Sequence, residues 1–139
     1  PGVRSKNGQP HIVPLSTGAQ AVLDDLPTFE GGDHVFTAGD GSAPYKNVIK
    51  PKRRLDQDSG VTAWTLHDLR RTVASGLGEL GIAGETIARV LNHAEGQIAG
   101  VTARYNRADQ TENKRRALEA WGQHVTGLTT NNVVEFKAG

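Results

Sequence analysis

The stretch from Thr65 to Gly81 constrains the fold more than any other part of the chain. Thr65 and Asp68 stand three apart, the spacing of a capping box in which each residue satisfies orphan donors at a helix start. Behind them Leu66, Leu69, Val73, Leu77 and Leu80 recur at steps of three and four, the period of a single helix face. The pattern predicts an amphipathic helix from about Leu66 to Leu80, ended by Gly81, a residue suited to the left-handed position after a helix. Such a helix needs partners for its apolar face. Two follow: a shorter helix from roughly Glu85 to Asn92, with Ile87, Val90 and Leu91 inward, and a last one from about Thr111 to His124, burying Leu118, Trp121 and Val125. The stretch Gln97–Tyr105 is expected to hold one more helical turn.

The first half reads differently. Val3–Lys6 and Gln9–Leu15 flank Asn7-Gly8, a dipeptide that suits a type I′ turn because both central residues need positive φ. A β-hairpin with Lys6 at its tip is expected, and Pro10 puts its second strand at an edge. Ser16 or Thr17 caps a short helix whose apolar stripe is Ala19, Val22, Leu23 and Leu26, ended by Pro27. Thr28–Asp33 reads as loop, His34–Thr37 as a brief strand and Ala38–Ser42 as a glycine-rich turn. From Pro44 to Leu55 the chain is basic and partly helical, interrupted by Pro51. At the other end Asn132–Lys137 has strand character and no hairpin partner nearby. It is expected to add to the sheet that contains the Lys6 hairpin. The class is therefore mainly α with a small antiparallel β-sheet (α+β), one domain over residues 1–125 and a tail over 126–139.

Composition narrows the function classes. At 139 residues the chain is the size of one domain, and 36% hydrophobic with 22% charged residues is globular rather than disordered. No apolar run approaches the ~18 residues that span a bilayer, and no secretory leader opens the sequence. The absence of cysteine excludes disulfides, thiolate metal sites and a cysteine nucleophile. The absence of methionine makes a piece of a longer protein the expectation. Net charge is +1, with seven basic against seven acidic residues up to position 60 and nine against eight beyond it, so global charge predicts no polyanionic partner. Locally, Lys46, Lys50, Lys52, Arg53 and Arg54 fall in a stretch without an acid, and Lys114-Arg115-Arg116 form a second cluster. Taken alone, these read as a solvated loop and a solvated helix face.

On the central helix His67 and Arg70 are three apart and share a face that is not the leucine face. Arg71 lies about 100° further round. Downstream come Leu91-Asn92-His93 and then Tyr105 within Ala103-Arg104-Tyr105-Asn106-Arg107. An H-x-x-R helix, a later L-x-H and a downstream tyrosine, in that order, resemble the catalytic domain of the tyrosine recombinases, the phage-integrase family. Arg4-Ser5-Lys6-Asn7-Gly8 and Val13-Pro14-Leu15-Ser16 look like that family's lysine-bearing hairpin. The resemblance runs from Pro1 to about Val125.

The resemblance implies an active site of Lys6, His67, Arg70, His93 and Tyr105, working on double-stranded DNA by site-specific breakage and rejoining through a 3′-phosphotyrosyl link. Tyr105 would be the nucleophile; its free pKa near 10 calls for cationic neighbours and a base, a role within reach of His67. Arg70 would hold non-bridging phosphate oxygens with its planar fork, and His93 would donate to the phosphate. Lys6 would protonate the departing 5′-hydroxyl. On this reading Lys46, Lys50, Lys52, Arg53, Arg54 and Arg71 contact DNA phosphates. No cofactor, metal, membrane or small-molecule substrate is implied; His67 and His93 lack a third ligand for zinc. The partners would be DNA and further protomers in a synaptic complex, met through the 132–137 tail. The implied setting is the bacterial cytoplasm, at the nucleoid, as a prophage or island integrase. The alternatives are type IB topoisomerase-like relaxation, a non-catalytic DNA-binding module and a pure assembly element. Two features depart from the family pattern. Its earlier arginine would lie before Pro1, so the isolated chain is expected to be inactive. Gln97–Gly100 reads as a short insertion ahead of Tyr105.

Overall fold

A computed structural model of the chain describes residues 10–37, 39–93 and 107–130. In order, its helices are α1 (Thr17–Asp24), α2 (Ile49–Ser59), α3 (Leu66–Glu79), α4 (Gly84–Val90) and α5 (Arg107–Thr130). Among the described residues the only β pairing is an isolated antiparallel bridge between Thr37 and Pro44. The brief strand expected at His34–Thr37 shrinks to that bridge, joined by a bond from the Tyr45 N–H to the Phe36 carbonyl (2.7 Å). Residues 10–16 are irregular and not the second strand expected over Gln9–Leu15; the His11 side chain and the Ile12 carbonyl bond to α4 and α5. The hairpin tip at Lys6, the turn expected in Gln97–Tyr105 and the Asn132–Lys137 strand lie outside the described residues. No helix among the described residues is long and apolar enough to cross a membrane.

The central helix starts and stops where its local chemistry dictates. The Asp68 carboxylate accepts from the Thr65 N–H (2.8 Å) and hydroxyl (2.7 Å), closing the capping box. At the far end Gly81 adopts φ +76°. Its N–H bonds to Gly78 O and the Ile82 N–H bonds to Leu77 O, a Schellman closure that also lays Ile82 against the core beside Leu77. Pro51 does not interrupt α2. It falls in the first turn, after Val48 at the cap and Ile49 and Lys50, where backbone N–H groups have no intrahelical partner and a missing donor costs little.

Leu77, Val90 and Ala117 form the core, with Val73, Ile82, Ile87, Leu118 and Trp121 packed around them. The core therefore sits where α3, α4 and α5 meet. Gly76 lets this happen: a Cβ there would lie 2.1 Å from Cζ3 of Trp121. The leucine stripe of α3 is only half used. Leu77 is fully buried, but Leu66 and Leu69 remain 48% and 54% exposed, because α4 and α5 cover the second half of the helix alone. Val125, expected inside, is 40% exposed.

The last helix begins at Arg107 and runs to Thr130, longer at both ends than its apolar spacing suggested. Its second half carries α1. Ser16 caps α1 by accepting from the Ala19 N–H (3.2 Å), and the same side chain packs so close to α5 that a Cβ on Gly122 would lie 2.8 Å from its Oγ. Glu119 accepts from the Thr17 N–H (2.8 Å) and hydroxyl (3.1 Å). The bond from that N–H, helped by Gln123 and the Thr17 hydroxyl, holds the Glu119 carboxyl below its usual range.

Candidate active site

The two motifs that carry the expected site meet at the end of α4. Arg70, on the exposed side of α3, donates through Nη2 to the Leu91 carbonyl. That carbonyl belongs to the cap of α4, where C=O groups lack intrahelical partners and the helix end favours positive charge. Two residues later the helix closes with a second Schellman pattern. Asn92 takes φ +55°, its N–H bonds to Arg89 O and the His93 N–H bonds to Ala88 O (2.9 Å). Left-handed backbone is uncommon outside glycine, and asparagine is among the residues that tolerate it. His93 leaves this closure exposed, and His67 is exposed one turn before Arg70. Arg70 has no carboxylate partner among the described residues, and one of its five N–H donors is engaged at Leu91. The structure thus brings Arg70 to the L-x-H turn. Lys6 and Tyr105 lie outside the described residues.

Three groups outside the expected site stand behind this edge, and one of them, Lys114, is buried where a solvated helix face was expected. His11 places Nε2 at 3.2 Å from the Val90 carbonyl, a bond that requires its hydrogen on Nε2. Lys114 donates through Nζ to the carbonyl of Ile12, the next residue. Lys114 is 9% exposed and has no carboxylate partner among the described residues. Arg89, on α4, is bound to Glu85. Burial pushes the Lys114 amine down from its ordinary value, and the Arg89 charge adds to this. Burial likewise pushes His11 down, reinforced by Lys114 and by Arg70, while the Val90 bond opposes the shift. Arg70 and His11 thus both bond to carbonyls at one end of α4, and Lys114 bonds to the residue after His11. A signal for Lys114 existed in the spacing. Lys114, Ala117, Leu118 and Trp121 follow the i, i+3, i+4, i+7 rule of a buried stripe. Its neighbours Arg115 and Arg116 behave as expected of a solvated face, each bound to Glu112. His11 left no comparable trace.

The basic residues of the 46–54 stretch divide into two groups. Lys50, Arg53 and Arg54 share a face of α2 at steps of three and four. Lys46, Lys50 and Arg53 are exposed and have no carboxylate partner among the described residues. Arg54 is loosely paired with Asp58 at 3.6 Å, both well exposed. Lys52 points the other way, about 200° round from Lys50. It pairs with Asp56 at 2.7 Å and lies 4.5 Å from the centroid of the Trp64 ring, a cation–π contact. Arg71 is bound to Asp68 at 3.0 Å. Among the described residues no three His, Asp or Glu side chains gather as a metal-ligand set.

Comparison with known proteins bears on this arrangement. The chain is similar to the prophage integrase IntA of Escherichia coli K12, 26% identical over 143 aligned positions that cover 96% of this chain and 32% of that protein. It is similar as well to the integrase of enterobacteria phage P4, 26% identical over 135 positions, covering 94% of this chain and 30% of the relative. The chain is related in sequence to phage integrases. It spans about a third of the length of the curated integrases it matches. No protein-family model matches it, and no solved structure matches it significantly.

Proposed function

We propose that the chain is the C-terminal part of a tyrosine recombinase catalytic domain, which cuts and rejoins DNA at specific sites in phage or prophage integration and excision. The observation that carries this reading is the bond from Arg70 to Leu91 O, which sets the H-x-x-R face of α3 beside the turn that presents His93. Two relatives named as integrases along nearly the full chain support it.

In the proposed reaction the Tyr105 oxygen attacks a DNA phosphorus and gives its proton to a base, the role assigned to His67. The Tyr105 O–P bond forms, the P–O5′ bond breaks, and the Lys6 ammonium supplies the proton that leaves with the 5′-hydroxyl. Arg70 and His93 hold the non-bridging oxygens as charge builds on them. A positioned donor of this kind typically contributes about 3–4 kcal/mol to the barrier. One ester replaces another, so a second 5′-hydroxyl reverses the step and reseals the strand. Lys46, Lys50, Arg53 and Arg54 form the surface proposed to lie along the DNA backbone. Lys52 and Arg71, already bound to Asp56 and Asp68, have less to offer a phosphate.

The test is a nicked suicide substrate given to the full-length protein. A covalent protein–DNA band that disappears in Tyr105→Phe, with DNA affinity kept within a few-fold, is the expected result. A band that persists in Tyr105→Phe, or maps to another residue, refutes the assignment. Relaxation of supercoiled DNA without synapsis of two duplexes would move the reading to a topoisomerase.

A further inference from the structure

We propose that His11 is a positioning residue for the Arg70–His93 edge: it holds the C-terminal turn of α4, to which Arg70 is bound and which carries His93. The inference rests on the reading of Arg70 and His93 as the groups that meet the phosphate, and it gives a role to a side chain which that reading does not use.

Helix α4 has seven residues, too few to hold their shape without tertiary contacts. Its end closes through bonds from the Leu91 N–H to Ile87 O, the Asn92 N–H to Arg89 O and the His93 N–H to Ala88 O. The Val90 and Leu91 carbonyls are among the orphan acceptors of a helix end. Each is met by a side chain from a different part of the fold. His11 reaches Val90 O at 3.2 Å, and Arg70 of α3 donates to Leu91 O. Val90 and Leu91 are both buried, so water is a poor substitute for either donor.

This turn needs outside support. Helix α3 closes on Gly81, but α4 closes on Asn92 at φ +55°, where a side chain makes left-handed backbone less favourable. A helix end weakly fixed by its own sequence is set by what binds it. One donor fixes a point, whereas two donors on adjacent carbonyls fix an orientation. Without His11 the turn is held at Leu91 alone, and Arg70 and His93 no longer share a fixed frame.

Histidine suits the place. The charged groups that face it are Lys114 on α5 and Arg70 on α3; burial first, then these two cations, push it toward its neutral form. A neutral Nε2–H donates to Val90 O without adding positive charge beside Arg70. The segment that carries His11 is pinned separately, because buried Lys114 donates to the carbonyl of Ile12.

The experiment gives the full-length protein two nicked suicide substrates, one with an ordinary scissile phosphodiester and one with a methylphosphonate. In the second a methyl group replaces a non-bridging oxygen and the linkage is neutral, so less depends on the placement of Arg70. His11→Ala should form covalent adduct on the phosphodiester about ten- to a hundredfold more slowly, the size of effect expected for a misplacement near 1 Å, with DNA affinity kept within a few-fold. On the methylphosphonate the same variant should lose little, and Arg70→Ala should show the same selectivity. His11→Gln, which keeps a neutral donor, should recover most of the rate on the phosphodiester. Amide hydrogen exchange reads the geometry without activity: the His93 N–H, bonded to Ala88 O, should exchange faster in His11→Ala and at the parent rate in His11→Gln. Lys114→Met keeps the apolar stem and releases Ile12, so it should show the His11→Ala pattern and decides the matter if His11→Ala fails to fold. Equal losses on both substrates with Arg70→Ala still selective, or unchanged exchange at His93, would overturn the positioning role and leave the recombinase reading intact. Absence of that selectivity in Arg70→Ala, or of any covalent adduct from the unsubstituted protein, would overturn both.

Discussion

Gly76 and Gly78 lie on the same helix, two residues apart, and differ in one respect that the structure makes measurable. A methyl group on Gly76 would meet the Trp121 ring at 2.1 Å from Cζ3, 2.8 Å from Cη2 and 3.0 Å from Cε3. A methyl group on Gly78 would meet nothing within 4 Å. Replacing either glycine by alanine contributes the same helix-propensity gain, about 0.5–1 kcal/mol. The difference between the two variants therefore isolates the Trp121 contact. Ordinary contact begins near 3.4 Å, so the ring would have to retreat by about 1.3 Å (3.4 less 2.1). Its retreat is opposed by the Leu77–Val90–Ala117 core against which it packs. Overpacking of this kind typically costs about 1–3 kcal/mol. Gly78→Ala should therefore match or exceed the parent in stability, and Gly76→Ala should fall about 1–3 kcal/mol below Gly78→Ala.

Urea denaturation followed by far-ultraviolet circular dichroism measures this directly. With an m-value of about 1–2 kcal/mol/M for a domain of this size, the two midpoints should differ by about 0.5–3 M at unchanged m. Tryptophan emission gives an independent view once Trp64 is replaced by phenylalanine, since Trp121 is then the sole fluorophore of its kind. A Gly76→Ala midpoint equal to or above that of Gly78→Ala would refute the close approach of α3 and α5 and, with it, the proposed layering of the core.

Three further outcomes follow from the structure. Leu77→Ala, at a large side chain with no exposure, should cost about 2–5 kcal/mol, whereas Leu69→Ala, at a half-exposed position, should cost well under half as much in the same denaturation assay. Burial and the Lys114 charge hold His11 below the usual 6.5, so the folded chain binds fewer protons than the unfolded one just below that pH. Stability should then be full above about pH 6.5 and decline as pH falls from there, with His11→Gln flattening the slope, whereas Asp68 and Glu119, both held low by hydrogen bonds, lose their contributions only below about pH 4. Lys50→Gln and Arg53→Gln should each lower DNA affinity and reduce the salt slope of binding by up to about 0.9. Lys52→Gln should instead loosen α2 from Trp64 with a smaller change in that slope, and a slope change as large as that of Lys50→Gln would refute the division of the α2 charges.

What the amino-acid order made legible, and what it did not, follows from the range of the forces involved. The start and end of α3 were readable because capping and Schellman closure are local: Thr65, Asp68 and Gly81 carry their partners within a few residues. Pro51 was misjudged for a local reason too, since its effect depends on whether it falls in the first turn or later. The extent of burial was not local. Leu66 and Leu69 have the same periodicity as Leu77, and only the shortness of α4 and the crossing of α5 leave them uncovered. Gly76 and Gly122 drew no expectation from the sequence, yet each is a place where another element comes close, Trp121 at the first and Ser16 at the second. Of the candidate site, the motif order around Arg70 and His93 was legible by resemblance, and the structure adds the Leu91 carbonyl that joins them. His11 was not, because its partner lies 79 residues away.

Lys114 is the instructive case, because two local rules disagreed there. Composition placed it in a run of three cations, the usual mark of a solvated face. Periodicity placed it on the stripe of Ala117, Leu118 and Trp121, where burial of an ammonium should be avoided unless something accepts its protons. The acceptor is a backbone carbonyl 102 residues earlier in the chain, invisible to either rule. A charged residue at a core position of an amphipathic helix thus predicts a distant polar partner even when that partner cannot be named. In this chain the partner belongs to the segment that follows Lys6, so the conflict at Lys114 pointed to the same edge of the molecule as the H-x-x-R and L-x-H motifs.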